Sequence, residues 1–215
     1  MVDKPRRRKE RKIPWGKIAA VIVVALIVVA SGWFVYTTYI YKPPPVYARI
    51  DTSLGSFEVE LFPACAPSTV ANFVSLAHSG FYNNLVWHRI VKGFVIQTGD
   101  PNTRNGINST RATWGTGGSN QTVPLEICSS LHNYRGYLGM ARGSNPSSGS
   151  SQFYVNLSNG TSNLSLDGNY TVFGKVTSGM GVVDAIANVT TYTSTFGTQP
   201  INPVFMKDVV VLSGP

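Results

Sequence analysis

From Ile18 to Ile40 the chain runs for 23 residues without a charge, most of them Val, Ile, Leu or Ala, and no face of a helix drawn through them is polar. At 1.5 Å per residue that helix reaches roughly 34 Å, enough for a hydrocarbon core of about 30 Å. Trp15, Trp33, Tyr36, Tyr39 and Tyr41 gather toward its two ends, where amphipathic rings favour the membrane interface. A buried core helix would keep a polar side, so the pattern predicts a transmembrane helix over 18–40.

Beyond it the pattern changes. Residues 41–46 hold Pro43-Pro44-Pro45 and read as a short stiff linker. Residues 47–215 form the folded domain. Apolar and polar residues alternate over Tyr47–Thr52 and Phe57–Leu61, around a turn at Leu54-Gly55, as in a hairpin with one buried face. Pro67 suits a first helical turn, Val70, Phe73, Val74 and Ala77 recur at helical spacing, and Gly80 stops the helix. A second helix is expected over Val182, Val183, Ile186 and Ala187, and a last strand over Val209–Leu212. The rest is short apolar runs punctuated by Gly, Ser and Asn, with a long surface loop from Pro101 to Pro124 and no internal repeat. Many short strands with two helices predict a mainly β fold, a closed or nearly closed barrel capped by two α-helices.

Charge sharpens the division. The formal charge of +8 suggests a nucleic-acid binder, but residues 1–17 carry eight Lys or Arg against Asp3 and Glu10. From Ala48 onward nine basic residues meet eight acidic ones, so the domain offers no electrostatic footprint for a phosphate backbone. A basic flank ahead of an apolar span keeps the N-terminus cytoplasmic and sends the domain outward. The expected organisation is therefore a basic cytoplasmic tail, a signal anchor in the cell membrane and an extracytoplasmic domain. A cleaved signal peptide ending near Val28-Val29-Ala30 is the rival; the apolar run is longer than a typical signal core and continues past that site.

Seven Asn-X-Ser/Thr sequons, at Asn108, Asn120, Asn156, Asn159, Asn163, Asn169 and Asn188, fit an exported chain but show only eligibility for glycan. Cys65 and Cys128 could form a disulfide outside the cytoplasm or remain two separate thiols, since sequence does not bring their Cβ atoms together. Neither they nor His78, His88 and His132 have metal-ligand spacing. No hydrolase elbow, phosphate loop or dinucleotide fingerprint is present.

Three stretches carry the informative chemistry. Trp87-His88-Arg89-Ile90-Val91-Lys92-Gly93-Phe94-Val95-Ile96-Gln97-Thr98-Gly99-Asp100 resembles the cyclophilin segment Phe-His-Arg-x-x-x-x-Phe-x-x-Gln-Gly-Gly-Asp. Gly139-Met140-Ala141-Arg142 through Ser151-Gln152-Phe153-Tyr154-Val155 is similar to that family's Met-Ala and Ser-Gln-Phe-Phe-Ile run. Leu166-Asp167-Gly168 through Val172-Phe173-Gly174-Lys175-Val176 matches Leu-Asp-Gly-x-x-x-Val-Phe-Gly-x-Val. Three long motifs in order are far more specific than one short pattern. Alone, Arg89 would be read as a strand-edge salt-bridge partner, and Phe94, Val95, Tyr154 and Leu166 as core.

The resemblance implies an eight-stranded antiparallel cyclophilin-like barrel with two capping helices and peptidyl-prolyl cis-trans isomerase activity, without cofactor or metal. It implies Arg89 and Gln97 as the catalytic pair. Phe94, Val95, Tyr154 and Leu166 are implied to line a proline pocket, Ala141, Arg142 and Gln152 to contact the flanking peptide, and Tyr170 to close one edge. Proline-containing peptides and unfolded exported proteins are the expected partners, and the domain is expected to be monomeric. A prolyl-peptide binding module and an adhesive β-domain are the competing readings; Arg89, Phe94 and Gln152 together favour catalysis.

The residue types suit the chemistry. Rotating a prolyl amide breaks C–N resonance across a barrier of roughly 18–20 kcal/mol. The nitrogen becomes pyramidal as the bond twists and gains a lone pair, so a donor aimed there binds the transition state more strongly than the ground state. This sequence departs from familiar relatives at Tyr154 (often Phe), Tyr170 (often His), Arg142 (often Asn) and Ser165 (often Trp in cyclosporin-sensitive members). Strong cyclosporin inhibition is therefore not expected. The sequon at Asn169 adjoins the expected pocket, so glycan is not expected there.

Overall fold

In the computed structural model the described residues are 15–37, 43–106, 108–194 and 197–214, side chains at 16–18 and 108–110 excepted. The chain divides into two units, residues 1–42 and 43–215.

In the first unit, α1 (Trp15–Val35) is helical for 21 residues, with Val21 through Val35 exposed along its apolar length. Among the described residues no helix is long and apolar enough to cross a membrane. The fully described part of α1, residues 19–35, spans roughly 25 Å against a core of about 30 Å. The basic tail to residue 14 and the expected end of the span at 38–40 lie outside the described residues, as do linker residues 41–42.

The second unit opens with the hairpin β1 (Val46–Thr52) and β2 (Gly55–Leu61), closed at Gly55, whose φ of +123° suits glycine. Helix α2 (Pro67–His78) follows, with Pro67 in its first turn, and buries Val70, Phe73 and Ala77. Next come β3 (Leu85–Val86), β4 (Arg89–Val91), β5 (Val95–Thr98), β6 (Tyr137–Met140) and β7 (Phe153–Asn156), then the short helix α3 (Thr161–Leu164). The chain ends with β8 (Val172–Ser178), α4 (Met180–Ala187), β9 (Thr191–Ser194), β10 (Gly197–Pro200) and β11 (Phe205–Leu212).

Nine of these strands form one sheet, ordered β3-β11-β1-β2-β8-β6-β7-β5-β4, and β9 with β10 forms a separate hairpin. This corrects the expectation of eight strands and two capping helices, because α3 is a third helix in the domain. The sheet is curled and antiparallel. Its two edge strands, β3 and β4, are joined by Trp87 and His88 alone, which draws the edges together. No ladder closes the seam among the described residues, but Thr98 Oγ1 on β5 donates to the Val86 carbonyl at 3.0 Å.

Alternation explains the core. Phe57, Val59, Leu61, Ile96, Phe153, Val155 and Phe173 point inward and are buried against Phe73 and Tyr82. Phe73 meets the rings of Tyr82, Phe153 and Phe173 at centroid distances of 5.2, 5.5 and 5.6 Å. The neighbours of those strand residues, Val95, Gln97 and Tyr154, point to the outer face.

Cys65 and Cys128 are joined as a disulfide with Cα atoms 5.5 Å apart, which settles the pairing left open by the sequence. Beside it Glu126 caps α2, whose own N-cap Ala66 has no capping side chain. Its carboxylate accepts from Ser68 N and Thr69 N, each at 2.9 Å, and from Thr69 Oγ1 at 2.8 Å. A negative group there also complements the helix dipole. Two sequons are closed by burial: Asn156 and Asn163 are wholly buried, and Asn163 Nδ2 donates to Asn156 Oδ1 at 2.7 Å.

Candidate active site

Four neighbouring strands set the candidate side chains in one row. Arg89 on β4 stands opposite Gln97 on β5, Gln97 opposite Tyr154 on β7, and Tyr154 opposite Gly139 on β6. Directly opposed residues share a face of the sheet. Gly139 has a steric reason to be glycine, since a Cβ there would come within 2.1 Å of the Tyr154 ring. That vacancy lets the ring lie flat across β6.

Arg89, Phe94, Val95, Gln97, Ala141, Arg142, Tyr154, Leu166 and Tyr170 line a single cavity of 160 Å³. Gln152, the remaining residue singled out by sequence, lines the adjoining cavity of 330 Å³, which shares Gln97, Ala141 and Arg142 with the first. The structure thus brings all ten together.

A relay of amides orients the guanidinium. Arg89 Nη1 donates to Gln97 Oε1 at 3.3 Å, Gln97 Nε2 donates to Gln152 Oε1 at 2.8 Å, and Gln152 Nε2 donates to the Gly117 carbonyl at 2.6 Å. Arg89 also lies over the Phe94 ring at 5.7 Å. Burial lowers its pKa from the usual value, yet a guanidinium remains a cation at neutral pH. Behind it runs β10. A Cβ on Gly197, whose φ is +112°, would sit 3.1 Å from Arg89 Nε. The hairpin is therefore a close backstop to the Arg89 side chain, a contact across 108 residues that no local sequence signal carries.

Leu166 and Tyr170 occupy one turn, with Tyr170 N donating to the Leu166 carbonyl at 3.1 Å. Asp167 ties that turn down. Its Oδ1 accepts from Asn133 N and Nδ2, each at 2.8 Å, and its Oδ2 accepts from His132 Nδ1 at 2.7 Å. Burial raises the Asp167 pKa, but the bonds from Asn133 and His132 outweigh it and hold the carboxyl below its usual value. Asn133 Oδ1 accepts in turn from Tyr154 Oη at 2.8 Å. The phenol that replaces the usual Phe is thus a polar strut beneath the cavity. Asp167 lies within a motif read from sequence; Asn133 does not.

His88, which has no metal-ligand spacing in the sequence, is buried beside this relay. Among the described residues neither ring nitrogen has a hydrogen-bond partner of good geometry. Burial lowers its pKa to about 4, against the opposing pull of Asp100, the Val86 carbonyl and Gln152. The unfolded chain takes up a proton at His88 near pH 6.5, which the folded chain refuses until about pH 4. Folding stability should therefore fall as pH drops through that window, by up to about 3 kcal/mol. Denaturant titrations at stepped pH should show the slope, and the His88 ring should stay neutral by NMR at pH 5; titration near 6.5 would contradict it.

The family comparisons agree with this geometry. The family model for cyclophilin type peptidyl-prolyl cis-trans isomerase/CLD matches residues 47–211. A peptidyl-prolyl cis-trans isomerase of Acinetobacter baylyi is 41% identical over 170 residues, covering 77% of this chain and 85% of its own. Peptidyl-prolyl cis-trans isomerase A of Dickeya dadantii is 34% identical over 198 residues, covering 91% and 94%. A crystal structure of a Cryptosporidium parvum cyclophilin type isomerase matches with a TM-score of 0.69 at 32% identity, over 80% of this chain and all of that one. The same protein crystallised in the presence of the dipeptide Ala-Pro matches with a TM-score of 0.67 over 78% of this chain and 99% of that one. With the three motifs converging on one outer-face cavity, this chain belongs to the cyclophilin-type peptidyl-prolyl cis-trans isomerases.

Proposed function

We propose that the chain speeds rotation about X-Pro bonds of exported polypeptides while held at a membrane by its N-terminal helix, with Arg89 as the donor to the twisting imide nitrogen. The carrying observation is that Arg89 and the apolar lining of Phe94, Val95, Tyr154 and Leu166 open onto one cavity. A pyrrolidine ring seated there brings its nitrogen to the guanidinium. No covalent intermediate is needed, because the reaction rotates a bond and breaks none. An apolar seat also disfavours the more polar planar amide.

A rate gain of about 10⁴ requires roughly 5.5 kcal/mol, and one charge-assisted hydrogen bond contributes about 1.5–3 kcal/mol. The pocket and the grip on the flanking backbone, through Ala141, Arg142 and Gln152, supply the remainder. Uncatalysed rotation takes tens of seconds or longer, so slow-folding exported proteins are the natural clients.

The anchored placement is supported by the basic tail, the uncharged run over 18–40 and the exposed apolar side chains of α1. A disulfide also suits an oxidising compartment. The test uses the full chain in vesicles. Exchange NMR on an Ala-Pro peptide should show cis/trans exchange above the buffer rate. A membrane-impermeant lysine reagent applied to intact cells should label Lys92 and Lys207 but spare the tail. Exchange at the buffer rate ends the isomerase reading, and a mature protein lacking residues 1–30 ends the anchor.

A further inference from the structure

We propose that the cavity adjoining the prolyl pocket selects an acidic side chain on the residues preceding X-Pro, with Arg142 as the specificity-determining cation. The inference rests on the isomerase reading, since it takes a peptide to lie across both cavities.

Three observations carry it. Arg142 stands on the ridge between the two cavities and is the single charged residue among those lining the second. It is held in place before any substrate arrives. Nε donates to the Asn169 carbonyl at 2.8 Å, Nη1 donates to the Gly143 carbonyl at 2.9 Å, and the guanidinium lies over the Tyr170 ring at 4.7 Å. Finally, its charge is not neutralised: no Asp or Glu pairs with it, and Nη2 has no acceptor among the described residues.

The rest of the cavity tolerates an anion. Its inward carbonyls, Gly115 and Gly117, already accept from Gln152 Nε2 at 3.1 and 2.6 Å. The nearby carboxylate of Asp100 is wholly buried, and its oxygens accept from Asn102 N and Gly115 N. Ser150 lines the cavity, and its Oγ has no hydrogen bond among the described residues, which leaves its proton for a carboxylate. At 330 Å³ the space admits a Glu side chain together with water. A preorganised cation also loses little side-chain entropy on pairing. A partly exposed pair of this kind favours the acidic peptide by about two- to fivefold.

The experiment places Glu, Gln or Lys at each of the two positions before X-Pro in an otherwise neutral peptide. For each, kcat/KM is read by exchange NMR with the full chain and Kd by titration. At one position Glu should exceed Gln by about two- to fivefold and Lys should fall below Gln, with the ratio shrinking in high salt. In Arg142→Gln the Glu-to-Gln ratio should drop to about one, whatever happens to the absolute rate. Equal Glu and Gln at both positions in the wild type would overturn the proposal and leave the isomerase reading intact. A preference that survives in Arg142→Gln would also overturn it. A Glu preference in Kd without turnover would support the acidic subsite and sink the isomerase reading instead.

Discussion

Replacing Arg89 with alanine should lower kcat/KM for a neutral X-Pro peptide by about 100-fold while peptide Kd moves by less than about threefold. Only interactions stronger in the transition state than in the ground state affect the rotation step. Before rotation the imide nitrogen is planar and has no lone pair to offer, so the guanidinium contributes little to binding. In the role proposed for it, the guanidinium meets a pyramidal nitrogen only at the twisted state. Loss of a preorganised donor at such a point typically costs 10²–10³ in rate, about 2.7–4 kcal/mol. Stability should scarcely change, because Arg89 is only partly buried and forms no ion pair among the described residues. The amide it releases, Gln97, keeps its bond to Gln152. Arg89→Lys should recover part of the loss at most. A lysine retains charge but lacks the planar fork that Gln97, Phe94 and the Gly197 backbone hold in position. An Arg89→Ala enzyme within threefold of wild type would remove Arg89 from the mechanism and leave the cavity without its donor.

How far this site can be read without coordinates depends on whether its parts are local or long-range. The hairpin of β1 and β2 and the helix α2 are legible because alternation and helical spacing persist for 7 and 12 residues, with Gly55 and Pro67 marking their ends. The three motifs are legible because each is contiguous. Strand number is not: β3 has two residues and β4 three, too few for any periodicity to register. The four-residue α3 fails for the same reason. The cap on α2 is illegible in principle, since Ala66 is a poor N-cap and the group that replaces it, Glu126, lies 57 residues away from Thr69. Asn133 and Gly197 are similar, each meaningful only through a distant partner. Seven sequons look alike in sequence, yet Asn156 and Asn163 are core residues of the polar network behind the cavity. That difference is one of burial, which local motif matching does not contain.

Opening the Cys65–Cys128 disulfide should lower folding stability by about 2–5 kcal/mol and depress Tm by roughly 10 °C. The bond closes a sequence separation of 63 residues, and in the chain-entropy account a loop of that size constrains the unfolded state by about 4 kcal/mol. Its position adds to this. Cys65 directly precedes the Ala66 N-cap of α2, and Cys128 lies two residues after Glu126, so the covalent bond and the carboxylate cap form one clasp at the start of the helix. That helix delivers Phe73 to the aromatic core. The same strand of chain continues to Asn133, whose bonds reach Asp167 and Tyr154 beneath the candidate pocket. Thermal melts of Cys65→Ser with Cys128→Ser, beside wild type with and without a reductant, check the expectation, and Glu126→Gln separates the two halves of the clasp. Glu126→Gln should cost at least about 1 kcal/mol, since the amide oxygen can replace only one of the two accepting oxygens, the amide nitrogen cannot accept from Ser68 N or Thr69 N, and the charge at the helix terminus is gone. Activity near 25 °C should fall far less than stability, because the row Arg89, Gln97, Tyr154 and Gly139 is held by the strand ladder rather than by the clasp. Equal melting of oxidised and reduced protein would mean that the hydrogen bonds of Glu126 alone secure α2, with the covalent link adding nothing.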